Sequence, residues 1–236
     1  MGERLSERGG VSGEQERDMA AKANPDTPFH YSYQPHRWHP HDKIIRMVGS
    51  SKRVLDVGCA SGYLAKQFKA NDCSVIGVEI NPEEAEKARA YCDTVLTADA
   101  KTVPGSAFSD GCFDVIVYAD VLEHMEHPDR VLRTQQRWLS SNGYAIVSLP
   151  NIAFLGIRLQ LLLGRFNYRD FGILDRTHLR FYTLATAKEL LHGAQYSVKG
   201  FEPVGWPSTI MPSWLYPTVW ASGFVFQASP DNRAEK

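Results

Sequence analysis

From residue 42 onward the apolar positions alternate between short continuous runs and stretches with a helical period. "RVLDV" (53–57), "SVIGVEI" (74–80), "TVLTAD" (94–99), "FDVIVYAD" (113–120) and "GYAIVSLP" (143–150) are rich in β-branched and aromatic residues, and each predicts a buried strand. Between them, "SGYLAKQFKAN" sets Leu64, Ala65 and Phe68 on one helical face. "NPEEAEKARAYC" opens with Asn81 as N-cap, Pro82 at the first helical position, and Glu83 and Glu84 facing the positive end of the helix dipole. "PDRVLRTQQRWL" turns Val131, Leu132, Gln135, Trp138 and Leu139 inward. Strands separated by such helices need crossover connections, and therefore a parallel sheet covered on both faces. The pattern predicts a doubly wound α/β fold whose ligands sit beyond the carboxyl ends of the strands.

After Asn151 the rhythm changes. Residues 151–182 are too apolar for a disordered connection and too long for a plain one, which predicts an insertion with a helix over about 152–163. Its stripe Leu155, Leu159, Leu162 and Phe166 reads as core. "LATAKELLHGA" restores a helix that stops at Gly193, and "YSVKGFEPV" and "SGFVFQAS" predict a closing antiparallel pair. Between them, Trp206, Trp214, Leu215, Tyr216 and Trp220 are dense for a loop, which suits an acceptor-pocket wall, a homodimer contact or plain packing.

The turn after the first strand reads "DVGCASG". A dinucleotide loop needs small residues at three positions, and counting from Gly58 the third is Tyr63, a poor fit. What remains is Asp56, Gly58 and Gly62, with a second acid, Glu79, ending the next strand. Together with "TADA" after the third strand and "ADVLEHMEHP" after the fourth, this set resembles the class I S-adenosylmethionine-dependent methyltransferases, with Ala60 where the middle glycine of their first motif usually stands. The resemblance covers about residues 50–150. "SLPNIAFLGIRLQLLLGRFNY" is similar to a segment of the W-type methionine-biosynthesis proteins, and "DRTHLRFYT" resembles ubiquinone-biosynthesis-like O-methyltransferases of the methyltransferase-23 subset.

The resemblance implies a Rossmann-like, mostly parallel seven-stranded sheet with an antiparallel last strand. It implies S-adenosylmethionine as cofactor and S-adenosylhomocysteine as product, held by Tyr33, Asp56, Gly58, Cys59, Ala60, Gly62, Tyr63, Glu79, Ile80, Asp99, Ala100, Asp120 and Val121. Glu79 is expected on the ribose hydroxyls, because a carboxylate offers two acceptor oxygens to a diol. Asp99 and Ala100 are expected at the adenine, and Asp120 and Val121 on the methionine side. The domain is expected over 29–230, with disordered ends at 1–28 and 231–236.

Composition narrows the function further. A net charge of −1 without a Lys/Arg block argues against nucleic acid as the partner. Cys59, Cys73, Cys92 and Cys112 show no metal-ligand spacing and suit a reducing compartment. No signal peptide and no apolar run of roughly 18 residues is present, so a cytoplasmic protein without stable membrane insertion is expected. His36, His39 and His41 lie among prolines that would break a helix aligning them, and no metal is expected. The segment that carries them is read as lying over the cofactor, with Tyr31 or Tyr33 at its carboxylate and Ile44, Ile45 and Val48 docked on the sheet.

For chemistry, methyl transfer to a small-molecule hydroxyl (a sugar, quinone or secondary metabolite) calls for a base that works near neutral pH. His124, after the fourth strand, is one candidate. His178, in "DRTHLRFYT", is the other, its alternative being an ion-pair network that pins the insertion. His127, before Pro128, reads as a turn residue. A different class of function is a non-catalytic S-adenosylmethionine-binding partner of another biosynthetic enzyme.

Overall fold

The computed structural model describes residues 39–205 and 216–231. The expectations for residues 1–28, Tyr31, Tyr33, His36, Trp206, Trp214, Leu215 and the tail beyond Asp231 lie outside the described residues, as does the side chain of Tyr216. Seven strands form one sheet: β1 (Arg53–Val57), β2 (Ser74–Glu79), β3 (Thr94–Thr97), β4 (Phe113–Ala119), β5 (Leu139–Pro150), β6 (Tyr196–Val204) and β7 (Gly223–Pro230). Their order is β3-β2-β1-β4-β5-β7-β6. β1 to β5 pair in parallel, while β7 runs antiparallel to both β5 and β6. The order reverses between β1 and β4, so the turns after these two strands open side by side at the carboxyl edge of the sheet.

The helices are α1 (Pro40–Val48), α2 (Tyr63–Ala70), α3 (Pro82–Ala88), α4 (Pro128–Gln135), α5 (Leu155–Leu162) and α6 (Leu184–Gly193). Alternation along the strands divides the core. Val54, Val115 and Val117 face Ile44 and Val48 of α1 and Leu64 and Phe68 of α2. Leu55, Val57, Ile116 and Tyr118 face Val131 and Leu132 of α4 and Ala187 and Leu191 of α6. Asn81 caps α3 as expected, its side chain accepting from the N–H groups of Glu83 and Glu84. Arg53 grips Asp114 across β1 and β4 through two side-chain bonds and its own amide. Held chiefly by that side-chain pairing, the Asp114 carboxyl drops to about 2.

Three expectations change. Pro40 does not break a helix: it occupies the first position of α1, where a missing N–H costs nothing, and Lys43 and Arg46 tie that helix to Glu202 of β6. β5 begins four residues earlier than the apolar run, at Leu139, because Phe113 of β4 pairs there before a bulge. The stripe read as core is largely exposed, with Leu159 at 51%, Leu162 at 82% and Phe166 at 38%. α5 buries only Ile157, since nothing in the described chain packs over its outer face.

Candidate active site

The turn after β1 is held by backbone geometry. Gly58 has φ 73°, and a Cβ there would lie 2.8 Å from Cγ2 of Val121, so this glycine lets the first and fourth strand turns approach. Gly62, at φ 79°, caps α2, and a Cβ on it would meet Ala88 of α3 at 3.0 Å. Ala60 also adopts a left-handed conformation, φ 47°, where a methyl group is strained. Its N–H donates to Oε2 of Glu79 at 2.9 Å, and Asn81 N–H donates to Oε1 at 2.8 Å. Glu79 thus stitches the glycine turn to the end of β2 while keeping acceptor capacity on both oxygens.

Several residues of the expected cofactor set are also engaged within the protein itself. The Cys59 thiol packs over Gly77 in the core, its N–H is taken by Val78 O, and its contact with Cys92, together with burial, keeps the thiol protonated. Tyr63 leans on His41, ring centroids 4.8 Å apart. Asp56 is sealed behind the turn at 1% exposure, with no hydrogen-bond partner for either oxygen among the described residues. Burial, and then the charge of Glu79, push its carboxyl up to about 7. Ile80 is 62% exposed at the β2 edge. Asp99 folds back on Lys101, accepting its N–H and pairing with its ammonium, and the Ala100 carbonyl accepts from Gln135.

The turn after β4 is strained at Asp120, φ 51°. Ser148 of β5 holds it on both sides: the hydroxyl accepts from Asp120 N–H at 3.0 Å and donates to Oδ1 at 2.5 Å. Asp120 keeps accessible surface in the cavity beside it, yet the protein crowded around it raises its carboxyl against the pull of the Ser148 bond. A one-turn helix, Leu122–His124, follows.

The insertion docks on this turn. Leu179 N–H and Arg180 N–H both donate to Glu123 O, at 2.9 and 3.1 Å. Asn151, fully buried, anchors the start of the insertion by donating from Nδ2 to Ala221 O and from its N–H to Ser222 O. These clamps bring His178 against His124, ring centroids 4.8 Å apart. They also set His178 Nε2 3.9 Å from Oε1 of Glu123.

The bonding around the two imidazoles fixes their tautomers. Thr177 gives its hydroxyl proton to Asp175 Oδ1 at 2.6 Å, so its 3.0 Å contact with His124 Nδ1 is a bond from Nδ1–H to Oγ1. The carbonyl of Thr177 lies 3.3 Å from the same nitrogen and can only accept. His178 Nδ1 likewise faces Ile173 O at 3.2 Å. In each ring Nδ1 is therefore the donor. Burial, with His124 adding to it, lowers the pKa of His178, so that ring is neutral near pH 7. A cavity of about 300 Å³ is lined by Asp120, Glu123, His124, Ser148, Asp175 and His178.

The sequence reading separated His124 and His178 as rival candidates, whereas the fold puts them in one cluster. It passed over Glu123, Thr177 and Ser148. A signal existed for Glu123, a carboxylate directly before a histidine and after the apolar pair Val121 and Leu122; none existed for Ser148, whose role comes from sheet register. His127 precedes α4 and makes no side-chain cap bond, as a turn residue would.

Comparisons with known proteins give relatives in sequence and in fold. Two curated relatives are a ubiquinone biosynthesis O-methyltransferase of Vibrio parahaemolyticus, 32% identical over 104 residues, and the mitochondrial protein of that name from Schizosaccharomyces pombe, 30% over 120 residues. These matches take in 42% and 49% of this chain and 44% of each relative, so the chain spans less than half the length of the curated relatives it matches. Among solved structures, an S-adenosylmethionine-dependent methyltransferase of Archaeoglobus fulgidus superposes with a TM-score of 0.59 at 18% identity, over 80% of this chain and 90% of that one. Another from Mesorhizobium loti gives 0.57 at 16%, over 79% and 95%. At these identities the likeness is one of fold. The family described as methyltransferase domain matches residues 32–199, well over half of the sequence, and the chain belongs to that family.

Proposed function

We propose that the protein transfers the methyl group of S-adenosylmethionine to a hydroxyl of a small-molecule acceptor. The observation that carries this reading is the cavity at the carboxyl edge of the sheet, where two imidazoles, each held through Nδ1 by the insertion, lie beside the turn that follows β4. The printed names of the curated relatives favour oxygen as the acceptor atom.

The residues present fit the cofactor. The glycine turn approaches Val121 as closely as a missing Cβ allows, and Glu79 has lone pairs left for a diol. The 58–62 turn, Glu79, Asp99, Ala100, Asp120 and Val121 would hold it. When bound, S-adenosylmethionine supplies a methyl group already activated on a sulfonium. The protein's share is to orient the acceptor, an effect worth about 7–11 kcal/mol where alignment is good, and to remove its proton, worth roughly 10²- to 10⁴-fold. His124 takes that proton at Nε2, with Nδ1–H committed to Thr177. The insertion 151–182 covers the acceptor side of a domain spanning 29–230.

Calorimetric titration with S-adenosylmethionine should give saturable binding at one site. Glu79→Gln, which keeps the side-chain length, should weaken it by roughly 10-fold or more, as loss of bonds to a charged acceptor does. With methyl-labelled cofactor and a panel of sugars, quinols and phenols, the label should appear on oxygen. No binding, or label on nitrogen alone, refutes the proposal.

A further inference from the structure

The insertion that carries His178 also presents a face that nothing in the described chain covers. Eight of the ten large apolar side chains exposed among the described residues fall between positions 159 and 179, with Leu162 at 82%, Leu163 at 69% and Phe171 at 67%. Every residue from 161 to 172 is exposed. Scattered exposed leucines need no explanation, but so many in one segment mark an interaction surface. Its rings form a row: Phe166 packs edge-on against Tyr168 and Phe181, centroids 5.3 and 5.7 Å apart, and Phe181 in turn faces His178 at 6.2 Å. The face therefore shares a scaffold with the candidate site, and Phe171 lines the cavity as well.

Charge decides what such a face meets. Residues 151–182 hold five arginines and two aspartates, a surplus of +3 in a chain whose total is −1. Arg176 pairs with Asp170, and Arg158 and Arg180 are engaged by backbone carbonyls. Arg165 and Arg169 flank Phe166 and Tyr168, are exposed, and make no side-chain bond among the described residues. Pairing this face with that of a second copy about a two-fold axis would bring both arginine sets together, at a like-charge cost. Leucines rimmed by unpaired arginines complement instead the boundary between anionic headgroups and acyl chains. α5 has eight residues, about 12 Å of helix, and no helix among the described residues is long and apolar enough to cross a membrane. The element suits the surface of a bilayer, not its span.

We propose that the outer face of the insertion, from α5 to residue 172, docks on the surface of an anionic phospholipid bilayer, with Leu162, Leu163 and Phe166 in the acyl boundary and Arg165 and Arg169 at the headgroup phosphates. A guanidinium suits that place because its planar fork bonds phosphate oxygens in pairs. Each arginine at such a surface multiplies partitioning by about 5-fold, and each leucine side chain moved out of water by roughly 10-fold or more. Docking in this way sets the Phe171 edge of the cavity beside the lipid. The inference goes beyond the methyl-transfer reading and does not depend on it.

The test is co-sedimentation of the full chain, without cofactor, with sucrose-loaded vesicles of phosphatidylcholine alone or with about one third phosphatidylglycerol. The parent should bind the anionic vesicles roughly 10-fold or more tightly than the neutral ones, and less so as salt screens the arginines. Arg165→Gln combined with Arg169→Gln should weaken binding to anionic vesicles by about 25-fold and leave the neutral ones unaffected. Leu162→Glu combined with Leu163→Glu should weaken both by roughly 10-fold or more. Lys199→Gln, on β6 and outside the insertion, should match the parent. Thermal melts report folding, and because every substituted side chain is exposed, all variants should melt with the parent. No sedimentation with anionic vesicles, equal affinity for the two compositions, or equal binding by the parent and either double variant overturns the docking face. Dimerisation in analytical ultracentrifugation that the leucine pair abolishes, without vesicle binding, gives the face to a second copy and overturns it too. Failure of the vesicle assay leaves calorimetric binding of S-adenosylmethionine, and with it the methyl-transfer reading, untouched.

Discussion

Replacing Asp56 by Asn should abolish a loss of stability that the parent protein suffers as pH rises from about 4 to 7. In the folded chain the Asp56 carboxyl titrates near 7, against 3.8 for an unperturbed aspartate, because burial and the Glu79 charge disfavour its ionised form. Between those values the folded state holds a proton that the unfolded state has released, so stability falls with rising pH. It is fully retained below 3.8 and fully lost above 7. The interval is worth about 4 kcal/mol, of which about 2 kcal/mol falls between pH 5.5 and 8, a range in which the other raised carboxyls, Asp120 and Glu123, are common to parent and variant and cancel in the comparison. Asn is nearly isosteric and does not titrate. Urea unfolding of both proteins at pH 5.5, 6.5, 7.5 and 8.5, with m-values checked for constancy, should show the stability of Asp56→Asn gaining on the parent by about 2 kcal/mol across the series. Parallel curves would mean that Asp56 is already ionised and satisfied at pH 5.5, and the picture of a sealed, partnerless carboxyl behind the glycine turn would be wrong.

Ala60 and the outer face of α5 yield two sharper checks on local structure. At φ 47° Ala60 carries left-handed strain, so Ala60→Gly should change stability by between zero and about +1 kcal/mol, the strain relief less the extra chain entropy of glycine. Ala60→Val, whose branched Cβ resists positive φ, should cost more than about 1 kcal/mol. Thermal melts decide, and a stabilising valine would overturn the assigned backbone angle. Leu162 is 82% exposed, so Leu162→Glu should shift stability by no more than about 0.5 kcal/mol; a loss of several kcal/mol in denaturant titration would restore the core reading of that stripe.

Periodicity and turn chemistry were enough to read the sheet. β1 and the start of α3 fell where Arg53–Val57 and the Asn81-Pro82 cap put them, because buried strands and capped helices are specified by neighbours in sequence. α5 misled for the converse reason. A leucine every three or four residues reports an apolar face, and whether anything covers that face is decided by the rest of the fold. Cys59 shows a related limit: its place in the turn after β1 was legible, but the direction of its side chain depended on Gly77, on another strand, leaving room for sulfur.

The candidate site was half legible for a deeper reason. His124 and Asp120 lie in the turn after β4, where strand reading points, but His178 is 54 positions further on than His124, and contacts remote in sequence, among them the amides of Leu179 and Arg180 on Glu123 O and the buried Asn151, bring it home. No local pattern encodes such a meeting. Asp120 shows what a structure adds even at a residue already picked out. Its φ of 51° would cost a glycine little and costs an aspartate roughly 1–2 kcal/mol. The Ser148 hydroxyl offsets part of that by bonding both its amide and its carboxyl. The angle also sets the carboxylate at the wall of the cavity that holds Glu123, His124 and His178. A chain that puts an acid where glycine would sit without strain, and holds it with a core serine, is organised around that carboxylate facing the cavity.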